Sequence, residues 1–282
     1  MAKKHAVEDY EWAMYVDASG DDGFAFDRGS STMYTVNCFM CETSEIEYNK
    51  EVLYTAKAVL RCDKNTEMKS STVIKSKKRG EFCNVLSTLH GVLFQMVVFK
   101  KCFDPKSLTQ EDKDKHVFST LSHAFTIGMA SSFHRHFQKS VCIIVDNMKS
   151  EEVIGTRENV NAGLSGIKHE LIFADSKSTV HSLLQISDYF AGFTNKACTV
   201  HEDLIHRNPS YNRCATCQVR RMLCRRKPWT MQSALFFDIQ KYVNLFAVFN
   251  DKPAYTIMGN GIKMIPENYA DRYRFFDCVM NS

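Results

Sequence analysis

The chain has 282 residues, 44% hydrophobic and 24% charged, with 12 glycines and 5 prolines, which excludes collagen-like, low-complexity and wholly disordered proteins. That length suits one large domain or two modest ones. Its 36 basic and 32 acidic residues leave a net charge of +4, a bias that permits a polyanionic partner but is too small to name one.

Met1 to Tyr10 carries Lys3 and Lys4 without a following apolar run of signal-peptide length, and no stretch of about 18 uncharged apolar residues occurs. The expectation is a cytoplasmic protein with no membrane association. Eleven cysteines is an odd count, and they are scattered through apolar runs such as Val141 to Val145. In a chain of this length that pattern points to buried free thiols in a reducing compartment rather than to a disulfide framework.

Trp12 to Val16 is a short apolar run ending at Asp17-Ala-Ser-Gly-Asp-Asp-Gly23, the pattern of a strand running into a polar turn. Ser31 to Met40, rich in β-branched and aromatic residues, reads as its hairpin partner. Ile46, Val52, Leu53, Ala56 and Leu60 give a helix over Ser44 to Leu60, with Thr43 or Ser44 as N-cap. A polar, basic stretch, Lys57 to Arg79, precedes a helix over Gly80 to His90 and a strand over Val92 to Phe99.

After a charged loop, Phe118, Leu121, Phe125, Met129 and Phe133 mark a helical stripe. Val141 to Val145 reads as a fully buried strand ending at Asp146, and Glu170 to Ala174 as a strand ending at Asp175. His181 to Ala197 gives a helix whose stripe is Leu183, Ile186, Phe190 and Phe193, with Gln185 and Asp188 off it. The alternation of strands and helices after an opening hairpin predicts an α/β fold with a mixed sheet and packed helices. We divide the chain into a domain over 1–198 and a basic, cysteine-containing C-terminal extension over 199–282.

Asp17, Asp146 and Asp175 all end strand-like runs, and in α/β sheets functional groups gather at strand ends. A convergent carboxylate cluster repels itself unless cations neutralise it, so it implies a divalent metal. An aspartate after a strand is also a common turn former; it is the combination that asks for more.

Tyr15-Val-Asp-Ala-Ser-Gly-Asp21, Glu67-Met-Lys-Ser-Ser71, Ile144-Val-Asp146 and Phe173-Ala-Asp-Ser-Lys177, followed by Leu184-Gln-Ile-Ser-Asp-Tyr-Phe-Ala-Gly192, together resemble the family designated domain of unknown function 3800. The resemblance covers roughly residues 12 to 198, and Asp-Ser-Lys with the following Leu-Gln segment is its most specific part. It implies a ribonuclease-H-like fold and a nuclease activity. The family usually has Glu where Ala18 stands, so no role of that Glu carries over.

The resemblance implies Asp17, Glu67, Asp146 and Asp188 as ligands of Mg²⁺ or Mn²⁺ in a two-metal site, with Asp17 bridging and Asp175 competing with Asp146 for third place. Lys69 would steady the charge that develops on the phosphate. Ser176 is placed to cap the helix ahead of Asp188, and Gln185, one turn from Asp188, either orients it or is a plain exposed residue.

Two stretches concentrate positive charge: Lys57 to Arg79, with Lys75, Lys77, Lys78 and Arg79, and Arg207 to Lys227, with Arg220, Arg221, Arg225 and Arg226 beside Tyr211 and Trp229. Each could neutralise nucleic-acid phosphates or be a solvated face. Cys214 and Cys217, with Cys224 and His206 or Cys198, have spacing for zinc, although a second close pair is missing. There is no Walker or Gly-x-Gly-x-x-Gly pattern, so no nucleotide cofactor is expected. The sequence reading is a divalent-metal-dependent nuclease acting on DNA or RNA. Its rival is an inactive nucleic-acid-binding or scaffold protein of the same fold, with or without a zinc-stapled C-terminal module.

Overall fold

The computed structural model describes residues 7–86, 88–99, 103–104, 116–134, 140–175, 180–193, 195, 229–230, 243–249, 252–258 and 261–264. Strand β1 (Trp12–Ser19) forms an antiparallel hairpin with β2 (Met33–Glu42). Ala13 to Val16 are all buried, as a strand covered on both faces requires. β1 runs past its expected end at Asp17, because β2 continues the ladder and pairs Asp17 with Asn37 and Ser19 with Thr35. The strand stops at Gly20, whose φ of +104° suits glycine and where a Cβ would stand 2.5 Å from the Met33 carbonyl oxygen. Asp21 then closes the loop, accepting the Gly23 N–H at 2.9 Å and the Ser31 N–H at 2.6 Å.

Helix α1 (Ile46–Val59) follows a short 3₁₀ turn, Thr43–Glu45. Its N-cap position is Glu45, without a side-chain cap, rather than Thr43 or Ser44. Thr43 instead donates its hydroxyl to the carbonyl oxygens of Tyr10 at 2.8 Å and Glu11 at 3.3 Å, tying the helix start to the chain ahead of β1. The basic stretch folds into α2 (Ser70–Lys75) and α3 (Arg79–Leu86) before β3 (Val92–Phe99). The expected helix over 80–90 is therefore shorter, and an unexpected turn of helix precedes it.

Helix α4 (Val117–His134), β4 (Val141–Asp146), α5 (Ser150–Gly163), β5 (His169–Ala174) and α6 (184–193) complete the described core. Five strands stand in the order β3-β2-β1-β4-β5, with β2 antiparallel to both neighbours and β1, β4 and β5 parallel. Strands β6 (Val243–Phe249), β7 (Lys252–Met258) and β8 (Gly261–Met264) extend the sheet antiparallel from β3.

The sheet separates two helical layers, an α/β fold. One face presents Ala13, Tyr15, Phe39, Cys41, Cys142 and Ile144 to a core built with α1, α2, α3 and α6, including Leu53, Val73, Phe82 and Leu183. α4 covers the other face, where the Tyr34 hydroxyl meets Ser119 Oγ at 2.9 Å. Among the described residues, no helix is long and apolar enough to cross a membrane. Cys38, Cys41 and Cys142 are buried free thiols, and burial first of all pushes Cys41 and Cys142 up to about 12, which keeps them protonated.

Candidate active site

A polar row crosses the middle strands of the sheet. Gln95 of β3 pairs with Asn37 of β2, and Asn37 with Asp17 of β1. The parallel register Val16 to Val145 then brings Asp17 level with Asp146, the last residue of β4. Side chains alternate along a strand, so Asp17 shares the face of Tyr15 and Ala13, and Asp146 that of Cys142 and Ile144. That is the face α6 crosses. Polar contacts fix the crossing: Ser187 Oγ donates to the Tyr15 carbonyl at 2.7 Å and accepts the Phe39 N–H at 3.3 Å, and Thr35 Oγ1 donates to the Ala191 carbonyl at 3.0 Å. Asp188 lies between those anchors.

Asp188 is held from a second direction. Its Oδ2 accepts the Ser70 backbone N–H at 2.9 Å, and its Oδ1 the Ser70 hydroxyl at 3.3 Å. The approach of α2 to α6 depends on Gly192, where a Cβ would stand 2.2 Å from Ser70 Oγ and 2.4 Å from Ser70 Cβ. The same segment carries Glu67 and Lys69, joined as an ion pair. The fold thus brings together residues from β1, β4, α6 and the loop before α2.

Their electrostatics follow. Burial, then the Asp146 and Asp188 carboxylates, raise Asp17 well above the usual carboxylate range, against the Ala18 N–H donated to its Oδ1 at 2.7 Å and the Lys69 charge. Burial also raises Asp188; the Ser70 N–H, Lys69 and the Ser70 hydroxyl oppose this, and Glu67 adds to it. Burial pulls the Lys69 ammonium down, but its bond to Glu67 and the charges of Asp188, Glu67 and Asp17 carry it above its ordinary value. Three aspartates, a glutamate and one lysine therefore share a field that favours added positive charge.

Gln185, expected off the buried stripe, is instead buried, 4% exposed. Its Oε1 accepts the Lys57 ammonium at 3.3 Å and the Tyr189 hydroxyl at 3.2 Å. Lys57, the first residue of the basic stretch expected either to neutralise phosphates or to be a solvated face, is fully buried and does neither. Its Nζ also donates to the Lys64 carbonyl at 2.8 Å, and burial lowers its pKa. Asp175 is exposed just after β5, a strand separated from β1 by β4. Lys75, Lys77 and Lys78 are exposed, while Arg79 donates to the Ile74 carbonyl at 3.0 Å and so closes the end of α2. Ser176, His206, Cys214, Cys217, Cys224, Arg220, Arg221, Arg225 and Arg226 lie outside the described residues.

Sequence reasoning missed Asn37, Lys57, Ser70 and Gly192. A lone asparagine inside an apolar strand, opposite an aspartate, was the available signal for Asn37. Ser70 and Asp188 are 118 positions apart, and nothing local in sequence announces their bond.

Among the described residues, Asp22, His116 and Glu152 offer ligand atoms within 4.8 Å of one another. His116 Nδ1 already meets Asp22 Oδ2, and its Nε2 lies 3.1 Å from Lys149 Nζ. Both ring nitrogens are thus engaged by the chain's own groups, and the trio ties the β1–β2 loop to the starts of α4 and α5. Comparison with protein-family models and with curated proteins finds no match for this chain.

Proposed function

We propose that the chain is a divalent-metal-dependent nuclease of ribonuclease-H-like architecture, hydrolysing phosphodiester bonds of DNA or RNA at the Asp17 cluster. One observation carries the reading: Asp17 and Asp146 are set level on one face by two adjacent parallel strands, and the helix that carries Asp188 is anchored across that face by the bond of Ser187 to the Tyr15 carbonyl. The strand order β3-β2-β1-β4-β5 with β2 reversed supports the ribonuclease-H-like assignment, as does the resemblance of the Asp17, Glu67 and Asp175–Gly192 segments to domain of unknown function 3800. Ala18, where that family usually has Glu, alternates to the opposite face of β1 from Asp17. That departure takes no carboxylate from the cluster.

The donor set fits Mg²⁺ or Mn²⁺. It is all oxygen and mostly anionic, which suits hard cations, and its mutual repulsion is relieved by a bound cation. Bound there, a divalent cation would activate water and stabilise the leaving oxygen. Asp17, Asp146, Asp188 and Glu67 would hold it. Ser70 fixes the Asp188 carboxylate through two hydrogen bonds, so that group is oriented before any ligand arrives. Lys69 would carry its positive charge to the phosphate oxygens in the transition state. Exposed Lys75, Lys77 and Lys78, on the segment that follows Lys69, would hold the backbone of the nucleic acid.

Calorimetric titration of Mn²⁺ into the wild type and Asp17→Asn tests the site. Binding by the wild type that is lost in the variant is expected. Equal binding by both would remove Asp17 from the site and the proposal with it.

A further inference from the structure

Asn37 is fully buried, yet neither its side-chain nitrogen nor its side-chain oxygen has a hydrogen-bond partner. It pairs directly across the hairpin with Asp17, so the two side chains stand next to each other on one face of the sheet. α6 passes over this position. The hydroxyl of Ser187 accepts the N–H of Phe39, two residues beyond Asn37, at 3.3 Å, and the Ala191 carbonyl accepts the hydroxyl of Thr35, two residues before it, at 3.0 Å. Asn37 is thereby enclosed beneath the span of α6 that carries Asp188.

A buried amide that makes no hydrogen bond costs stability, and an apolar side chain of the same shape would not. Leucine is nearly isosteric with asparagine. A position that only filled space under α6 would gain from it. The amide does have a use if the adjacent carboxylates hold a cation, because a carboxamide oxygen is an ordinary uncharged donor to hard divalent ions and to the water they carry.

We infer that Asn37 is an uncharged member of the cation site, its side-chain oxygen serving the same Mg²⁺ or Mn²⁺ as Asp17. This inference rests on the metal reading of the Asp17 cluster and deepens it. It adds a fifth oxygen-bearing side chain to Asp17, Glu67, Asp146 and Asp188, and one that adds no negative charge to a self-repelling set.

The test is Mn²⁺ titration by calorimetry, paired with thermal melting of the metal-free protein, for the wild type, Asn37→Leu, Asn37→Asp and Asp17→Asn. Asn37→Leu should melt higher than the wild type without metal and bind Mn²⁺ about tenfold or more weakly, the usual loss for a supporting group at a metal site. Asn37→Asp keeps an oxygen donor, so it should bind at least as tightly as the wild type and melt lower without metal. It also provides the answer if the leucine variant fails to fold. Wild-type affinity in Asn37→Leu, or weakened binding in Asn37→Asp, would overturn the role of Asn37 alone. Failure of the wild type to bind Mn²⁺, or undiminished binding in Asp17→Asn, would overturn the metal reading and this inference with it.

Discussion

Asp188 and Ser70 meet through two hydrogen bonds, N–H to Oδ2 at 2.9 Å and hydroxyl to Oδ1 at 3.3 Å, and the contact exists only because residue 192 has no side chain. A Cβ there would stand 2.4 Å from Ser70 Cβ, so Gly192→Ala must push the first turn of α2 off α6. The expected loss is about 1–3 kcal/mol of stability, the usual cost of overpacking, with weaker Mn²⁺ binding because Asp188 loses its orientation. Adding Ser70→Gly removes the colliding atoms and keeps the backbone N–H that Asp188 accepts. Thermal melting of the single and double variants checks this: recovery in the double variant is expected, and no recovery would mean that Gly192 matters for another reason.

The pH dependence of the metal-free protein follows from Asp17 and Asp188, whose folded pKa values both lie above the ordinary 3.8. Above that value the native state keeps protons that the unfolded chain has released, so the contribution of these groups falls as pH rises toward their folded pKa values. Asp17→Asn keeps an oxygen that can accept the Ala18 N–H and cannot ionise. It should melt higher than the wild type at about pH 8, and the gap should narrow toward about pH 5. A variant that melts lower at the higher pH would contradict the burial and repulsion assigned to Asp17. In the wild type, Mn²⁺ binding should strengthen with pH, since the cation competes with those same protons.

Much of this fold is legible in the sequence, and the misses share a physical cause. β1, β2 and β4 are legible because apolar runs bounded by polar turns are what buried strands require, and Ile186, Phe190 and Phe193 of α6, with Leu183 in the turn before it, are buried as their periodicity indicates. The burial of Gln185 and Lys57 is not legible, because amphipathic reasoning assigns polar residues to solvent or to a charged partner. Here the two lie in the core layer, where each satisfies the other through a hydrogen bond of 3.3 Å. Asp146 ends its strand as its apolar run indicates, whereas Asp17 lies two residues inside β1. Their meeting depends on the parallel register of β1 and β4, a long-range choice that no local pattern encodes.

Lys69→Met removes a cation beside the carboxylates without removing a metal donor. Turnover should fall about 100-fold, the scale seen when one transition-state donor is deleted, while Mn²⁺ affinity stays equal or rises. Lower affinity with unchanged turnover would assign Lys69 to holding Glu67 in place rather than to the phosphate. Rates and titrations on the same preparation separate the two.

Charge reversal of Lys75, Lys77 and Lys78 tests the nucleic-acid face. All three are exposed, so folding should be unaffected. For every lysine that neutralises a phosphate, its reversal should reduce the slope of log affinity against log salt by about 0.9 for duplex DNA or about 0.7 for single strands. An unchanged slope would mean that this segment faces away from the bound strand.

The most direct test is cleavage itself. Wild type and Asp17→Asn would be incubated with labelled single- and double-stranded DNA and RNA in Mg²⁺, Mn²⁺ or EDTA. Cleavage by the wild type with metal, abolished by EDTA and absent in the variant, is the expected result and names the substrate class. Cleavage that persists in EDTA or in Asp17→Asn would contradict a metal-centred site at Asp17.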